Sequence, residues 1–180
     1  MSQIRPSTHD AVLSAAFQVF YDTPTASLAD VAAAAGVGRA TLHRHFASRS
    51  DLIAAMSDCA NKDIDAAILQ ATQDAHSSTE ALRRSLTALI PLGDRQWFLS
   101  HEHKGLSAKT EDDADLIAAI DTAKTEGSFD PHTPSVWIAA AYNNLIFTAW
   151  SLVRDGEATP KQAAEFAWRT LTSGLKGPAT

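Results

Sequence analysis

Four times within its first eighty residues the chain places a carboxylate three positions after a serine: Ser7-x-x-Asp10, Ser27-x-x-Asp30, Ser48-x-x-Asp51 and Ser77-x-x-Glu80. In this pattern the hydroxyl accepts a hydrogen bond from the open first turn of a helix, while the acid reaches back to the serine N–H and complements the helix dipole. Thr159-Pro160-x-Gln162 adds a box with proline at the first helical position, and Thr133-Pro134 repeats the proline start. Gly127, Gly156 and Gly174 supply stops. No alternating β-branched runs intervene. The chain is therefore predicted to be all-α, with about nine helices near 7–22, 27–35, 39–45, 48–75, 77–90, 94–104, 110–126, 133–155 and 159–174. The first three are short and closely joined, and the long fourth marks a domain junction, dividing the chain into residues 1–50 and 51–180.

Length and composition agree with a folded protein of this size: 180 residues, 45% hydrophobic and 20% charged. The single cysteine, Cys59, excludes an intrachain disulfide. The N-terminal "MSQIRPSTHD" lacks the apolar stretch of a secretory signal, so a cytoplasmic location is expected. One run, Val136 to Val153, approaches the length of a bilayer span. Asn143 and Asn144 at its centre, with Thr148 and Ser151, would be left unsatisfied in lipid, which favours a helix buried on all sides by protein over a membrane span.

Charge is divided unevenly. Residues 1–50 hold four bases and three acids, a balance of +1, and three histidines besides; residues 51–180 hold 11 bases and 18 acids, a balance of −7. A polyanionic partner is thus restricted to the N-terminal part. There, "SLADVAAAAGVGRATLHRHF" reads as two short helices about a turn. Val31 and Ala35 line one face, Gly36 breaks the helix, Val37 plugs the turn, and Leu42 and Phe46 anchor the second helix. Ala32 and Ala33 leave no bulk at the crossing. Ahead of them, Val12, Leu13, Ala16, Phe17 and Phe20 form an apolar stripe able to cover both. This is the pattern of a helix-turn-helix, with glycine supplying the positive φ of the turn.

With Leu42 and Phe46 inward, Arg39, Ala40, His43 and Arg44 must face outward. A basic helix face of this kind fits the major groove, where arginine bonds guanine bidentately and a small residue meets a thymine methyl. Thr41, His43, His45 and Arg49 are placed to hold phosphates, and Ser27, at the start of the preceding helix, joins the DNA-contacting set. His43 and His45 stand two apart on a helix and diverge, so no metal site is expected from them.

These residues resemble the hallmark of the TetR family of transcriptional repressors, A-x-x-x-G-V-S-x-x-T-L-Y-x-H-F followed by a basic residue. The matches are Ala32, Gly36, Val37, Thr41, Leu42, His45, Phe46 and Arg49, preceded by "LSAAFQVF", which is similar to the family's first helix. The close match covers residues 7–53. The resemblance implies base reading by Arg39, Ala40 and Arg44 and phosphate contacts from Thr41, His43, His45 and Arg49. Gly38 departs from the family's serine or threonine and removes a side-chain cap. His43 departs from its tyrosine, which predicts tighter DNA binding as pH falls toward about 6.

The resemblance further implies that the C-terminal helices form a ligand pocket and a dimer interface. Trp97, Phe98, Trp137, Tyr142 and Phe147 are the apolar candidates for the pocket, with His101, Asn143 and Asn144 as polar ones. The Val136–Val153 helix and the final helix are apolar around most of their circumference, which suggests a twofold four-helix interface carrying Trp150, Phe166, Trp168 and Leu171. His101-Glu102-His103 has the wrong spacing for a metal on one helix face, and Glu111-Asp112-Asp113-Ala114-Asp115 reads as a charged helix start. No cofactor is expected. The sequence thus predicts a dimeric, ligand-responsive repressor of double-stranded operator DNA, released by a small-molecule inducer. Two alternatives are an enzyme using the helical body as scaffold, for which no catalytic motif appears, and a thiol redox sensor built on Cys59.

Overall fold

The computed structural model describes residues 7–102 and 111–175, the side chains of 102 and 111–113 excepted. Among the described residues there are nine α-helices and no strand: α1 (Thr8–Asp22), α2 (Leu28–Ala34), α3 (Arg39–His45), α4 (Arg49–Thr72), α5 (Ser78–Leu89), α6 (Gly93–Glu102), α7 (Glu111–Thr125), α8 (Ser135–Arg154) and α9 (Pro160–Ser173). A 3-10 turn, Ile90–Leu92, precedes α6.

The boundaries follow local chemistry. The hydroxyls of Ser7, Ser48 and Ser77 accept from the N–H groups of Asp10, Asp51 and Glu80, each at 3.1 Å. Ser27 with Asp30, Ser48 with Asp51, and Thr159 with Gln162 form complete reciprocal boxes. The Ser77 box differs from expectation, because the Glu80 carboxylate accepts from the His76 N–H at 2.9 Å instead of from Ser77. Pro134 also departs: it is the cap of α8, one position before the first helical residue. Gly127, Gly156 and Gly174 all stop their helices at positive φ.

The described chain forms two compact units, and they part within α4. The first runs to Asp63 and takes in Asp94–Glu102; the second holds Ile64–Gly93 and the later helices. The expected junction at residue 50 therefore falls only at the start of α4, and Leu52, Met56 and Ala60, one turn apart, are fully buried in the core of the first unit. Most of α6 joins that unit because Phe98 meets the Phe17 ring edge to face at 5.5 Å. Arg95 adds a polar tie, its Nε 2.8 Å from Asp63 Oδ2 and its Cζ 4.8 Å above the Phe17 ring.

In the second unit α8 packs against α9, α7 and α5. It is, among the described residues, the helix long and apolar enough to cross a membrane. Its stripe of Ile138, Ala139, Tyr142, Ile146, Ala149 and Trp150 is buried, and the Tyr142 hydroxyl donates to the Leu82 carbonyl at 2.8 Å. The expectation of burial on all sides is corrected within one chain. Val136 is 53% and Trp137 70% exposed, and Ala140, Asn143, Asn144 and Thr148 lie open beside them.

Candidate nucleic-acid interface

The N-terminal site is built from the core outward. Val12, Leu13, Ala16, Phe17 and Phe20 of α1 are all buried, as are Val31 and Ala32 of α2. The turn after α2 needs a residue in the left-handed region, and Gly36 adopts φ +67° there. The Val37 N–H then returns to the Ala32 carbonyl at 3.0 Å, closing the helix end. Ala33, expected at the crossing, is exposed, which leaves Ala32 as the small residue between the helices.

Helix α3 begins on Gly38, which offers no side-chain cap. Leu42 and Phe46 are 1% and 2% exposed, so the opposite face is forced outward. Arg39, Ala40, His43, Arg44 and His45 are exposed and Thr41 is half-buried. Arg44 Nη2 donates to Thr41 Oγ1 at 3.3 Å, which aligns the guanidinium along the helix. Arg49 is also exposed, but its Nη2 donates to the Pro24 carbonyl at 2.9 Å and its Cζ lies 4.7 Å over the Phe20 ring. It fastens α4 to the end of α1 as well as facing solvent. Ser27 is occupied differently: its hydroxyl donates to Asp30 at 2.7 Å and accepts from the Asp30 N–H, so its role is to cap α2. The Ser27 hydroxyl and N–H, helped by Arg39, hold the Asp30 carboxyl below its ordinary range.

One residue of this surface escaped the sequence reading. His9, on the first turn of α1, has its ring centroid 5.0 Å from that of Phe46 and 6.1 Å from that of His45. No periodicity links positions so far apart in sequence, and only the packing of α1 on α3 brings them together. Among the described residues, no group of three or more His, Cys, Asp or Glu side chains is arranged to hold a metal. His103 of the His101-Glu102-His103 run lies outside the described residues.

The other predicted residues separate between the two units. Trp97, Phe98 and His101 belong to the first, where Trp97 meets the Tyr21 ring edge to face at 4.9 Å and stacks with His101 at 4.1 Å. Phe98 is core. In the second unit Trp137, Asn143 and Asn144 are exposed on the outer side of α8, and Asn144 Nδ2 donates to its own helix at Ala140. Tyr142 is buried with its hydroxyl bonded to Leu82, and burial pushes that phenol up from its ordinary range. Phe147 is half-buried beside Trp150, the ring centroids 5.6 Å apart. Trp150, expected at a subunit interface, is corrected to the interior: it is 8% exposed and covers Gly93, where a Cβ would overlap its ring. Phe166 is 43% exposed, while Trp168 is half-buried near Phe129 and Leu171 is half-buried in a groove between α8 and α9. Cys59 is half-buried with Sγ 3.7 Å from Asp63 Oδ2. Burial and the Asp63 charge push its thiol up, which opposes the thiolate that a redox sensor needs.

Residues 12–56 match the model of the family of bacterial regulatory proteins, tetR family. The HTH-type transcriptional repressor LfrR of Mycolicibacterium smegmatis is 33% identical over 181 residues, covering 97% of this chain and 93% of LfrR. The chain belongs to the TetR family. The crystal structure of LfrR with proflavine superposes on this TetR-family protein with a TM-score of 0.71 at 30% identity, over 94% of this chain and 97% of the other. AibR in complex with isovaleryl coenzyme A and operator DNA has the same fold, with a TM-score of 0.70 at 21% identity over 92% and 98% of the two chains. This TetR-family protein is a helix-turn-helix, DNA-binding transcriptional regulator and not an enzyme.

Proposed function

We propose that the protein represses transcription as a homodimer, placing α3 of each subunit in the major groove of a palindromic operator, and that a small-molecule inducer releases it. One observation carries this reading: Leu42 and Phe46 are buried while Arg39, Ala40, His43 and Arg44 all face outward from one helix. Arg39 and Arg44 then read base edges, Ala40 meets a thymine methyl, and Thr41, His43, His45 and Arg49 fix the pose on phosphates. Ser27 contributes through the α2 start that it caps. Two such helices about 34 Å apart, or one further helical turn, would meet successive major grooves on one face of the duplex. The protein acts where that DNA lies, in the cytoplasm, and needs no metal or cofactor to do so.

The dimer is proposed to form through the outer faces of α8 and α9. Val136, Trp137 and Phe166 are large apolar groups left exposed there, and a groove of about 470 Å³ runs between the two helices. Such a face can meet a second copy of itself across a twofold axis. For the inducer, the likeness to LfrR, crystallised with proflavine, supports a planar aromatic cation. Phe147, half-buried in the second unit, is the aromatic of the predicted ligand set suited to meet it there. A coupling of about 1–3 kcal/mol per ligand changes operator occupancy roughly five- to 150-fold, and by reciprocity operator DNA weakens inducer binding by the same factor.

The test is a gel shift with genomic fragments, comparing wild type with Arg39→Ala and Arg44→Ala. Each loss of a base-reading arginine is expected to cost about 1–3 kcal/mol and to relax one operator position. Proflavine added to the wild-type complex is expected to release the DNA. Binding that is indifferent to both arginines overturns the assignment of α3 as the reading helix.

A further inference from the structure

We infer that His9 of α1 and His45 of α3 form a two-imidazole clamp for a single DNA phosphate, a contact that makes operator binding take up protons. The inference rests on the operator-binding function proposed above. The two ring centroids are 6.1 Å apart with the planes at 66°. At that spacing one phosphate lies within reach of both rings, with a hydrogen bond of about 2.9 Å on either side. Both groups are accessible: His45 is exposed and the His9 side chain is 45% exposed.

The clamp has a fixed floor. The His9 ring leans on Phe46 at 5.0 Å and 32°, and Phe46 is itself 2% exposed and immobilised in the core. Asp10 Oδ1 stands 3.5 Å from His9 Nδ1, so the other ring nitrogen is the one left for an anion. The Asp10 carboxyl is in turn held below its ordinary range, first by the Ser7 hydroxyl and then by His9. A phosphate brought beside an imidazole favours the protonated ring.

In the DNA-free protein the other charged groups nearby have partners of their own. Arg44 of α3 is bonded to Thr41, Arg49 of α4 to the Pro24 carbonyl, and Asp51 to the Ser48 N–H at 2.9 Å. His43, on the same helix as His45, faces solvent two residues away and diverges from the pair. Bringing a phosphate to two neighbouring imidazoles therefore draws protons onto them, because imidazole is the side chain that changes charge between pH 5 and 8. Operator affinity then rises as pH falls through that range.

The experiment uses the full chain and a DNA fragment selected by the wild-type protein from a random-sequence pool. Binding is measured at pH 6 and pH 8 over a series of salt concentrations, for wild type and for His9→Gln, His9→Phe and His9→Lys. Melting curves establish that each variant folds, and His9→Lys keeps the test decisive if the uncharged variants do not. The expected result is that wild type binds several-fold tighter at pH 6 than at pH 8. His9→Gln and His9→Phe bind more weakly at pH 6, with the salt slope reduced by up to about one and a flatter pH profile. His9→Lys keeps the wild-type salt slope of pH 6 at both pH values. His9→Phe preserves a ring against Phe46, so a His9→Phe protein that matches wild type in affinity, salt slope and pH profile reduces His9 to packing and overturns the inference alone. A wild-type protein that selects no DNA sequence overturns the proposed function and the clamp together.

Discussion

Arg95 Nε lies 2.8 Å from Asp63 Oδ2, joining α6 to α4 across 32 positions of sequence. The same guanidinium bonds both oxygens of Asp94 at 3.0 Å and covers the Phe17 ring, with only 18% of the Arg95 side chain exposed. One side chain thus connects three helices of the DNA-binding unit. Arg95→Ala is expected to lower stability by about 1–3 kcal/mol, the scale of lost hydrogen bonds to a charged group, reduced by the solvent that reaches Asp63. Urea denaturation of the two proteins measures it, and an unchanged midpoint counts against Arg95 as a tie between these helices.

Gly93 carries the second close approach. A Cβ at this position would overlap the Trp150 ring, so Gly93→Ala must displace a buried tryptophan. Alanine favours helix by about 1 kcal/mol over glycine, but overpacking a filled core costs about 1–3 kcal/mol. The expected outcome is net destabilisation with a shifted tryptophan emission. A more stable Gly93→Ala protein would mean that Trp150 repacks freely.

The turn between α2 and α3 makes a separate demand. Gly36 has φ +67° and open space where a Cβ would stand, so only the backbone conformation opposes a side chain. Gly36→Val is expected to cost more than Gly36→Asn, because asparagine tolerates the left-handed region and a β-branched residue does not. Melting temperatures of the two variants rank the penalty, and the operator affinity of each is expected to follow the same order.

Glu126 predicts a pH effect on stability. Its carboxylate accepts from the Thr79 hydroxyl and from the N–H groups of Thr79 and Ser78, at 2.8 and 2.9 Å for the two N–H groups. The Thr79 hydroxyl, then the two N–H groups, hold its carboxyl below the ordinary glutamate range. A depressed folded-state pKa contributes stability that is complete above the unfolded value and is lost as pH falls through the folded one. Wild type is therefore expected to lose its advantage over Glu126→Gln as pH drops below about 4.5, and the gap in melting temperature between them narrows. A gap independent of pH would remove the charge from the explanation.

The outer face of α8 makes the last prediction. Trp137→Glu, at a position 70% exposed in one chain, is expected to leave the subunit folded while driving the proposed dimer toward monomer. Sedimentation velocity reads the change, and operator affinity falls with it because two half-sites are no longer bound together. An unaltered dimer with Trp137→Glu would move the interface elsewhere.

Helix number, helix ends and the basic face of α3 were legible in the sequence because each depends on residues a few positions apart. A serine meets the N–H three residues on, and a helix with Leu42 and Phe46 inward must turn Arg39, His43 and Arg44 outward. What only the tertiary structure decided depends on residues far apart in the chain. The pairing of Arg95 with Asp63 placed α6 in the first unit, and the contact with Gly93 turned Trp150 inward although its helix is apolar on several faces. The contact of the His9 ring with Phe46 brought two imidazoles together. Periodicity states that a side chain lies on one helix face, and only packing against a particular neighbour determines what that face meets.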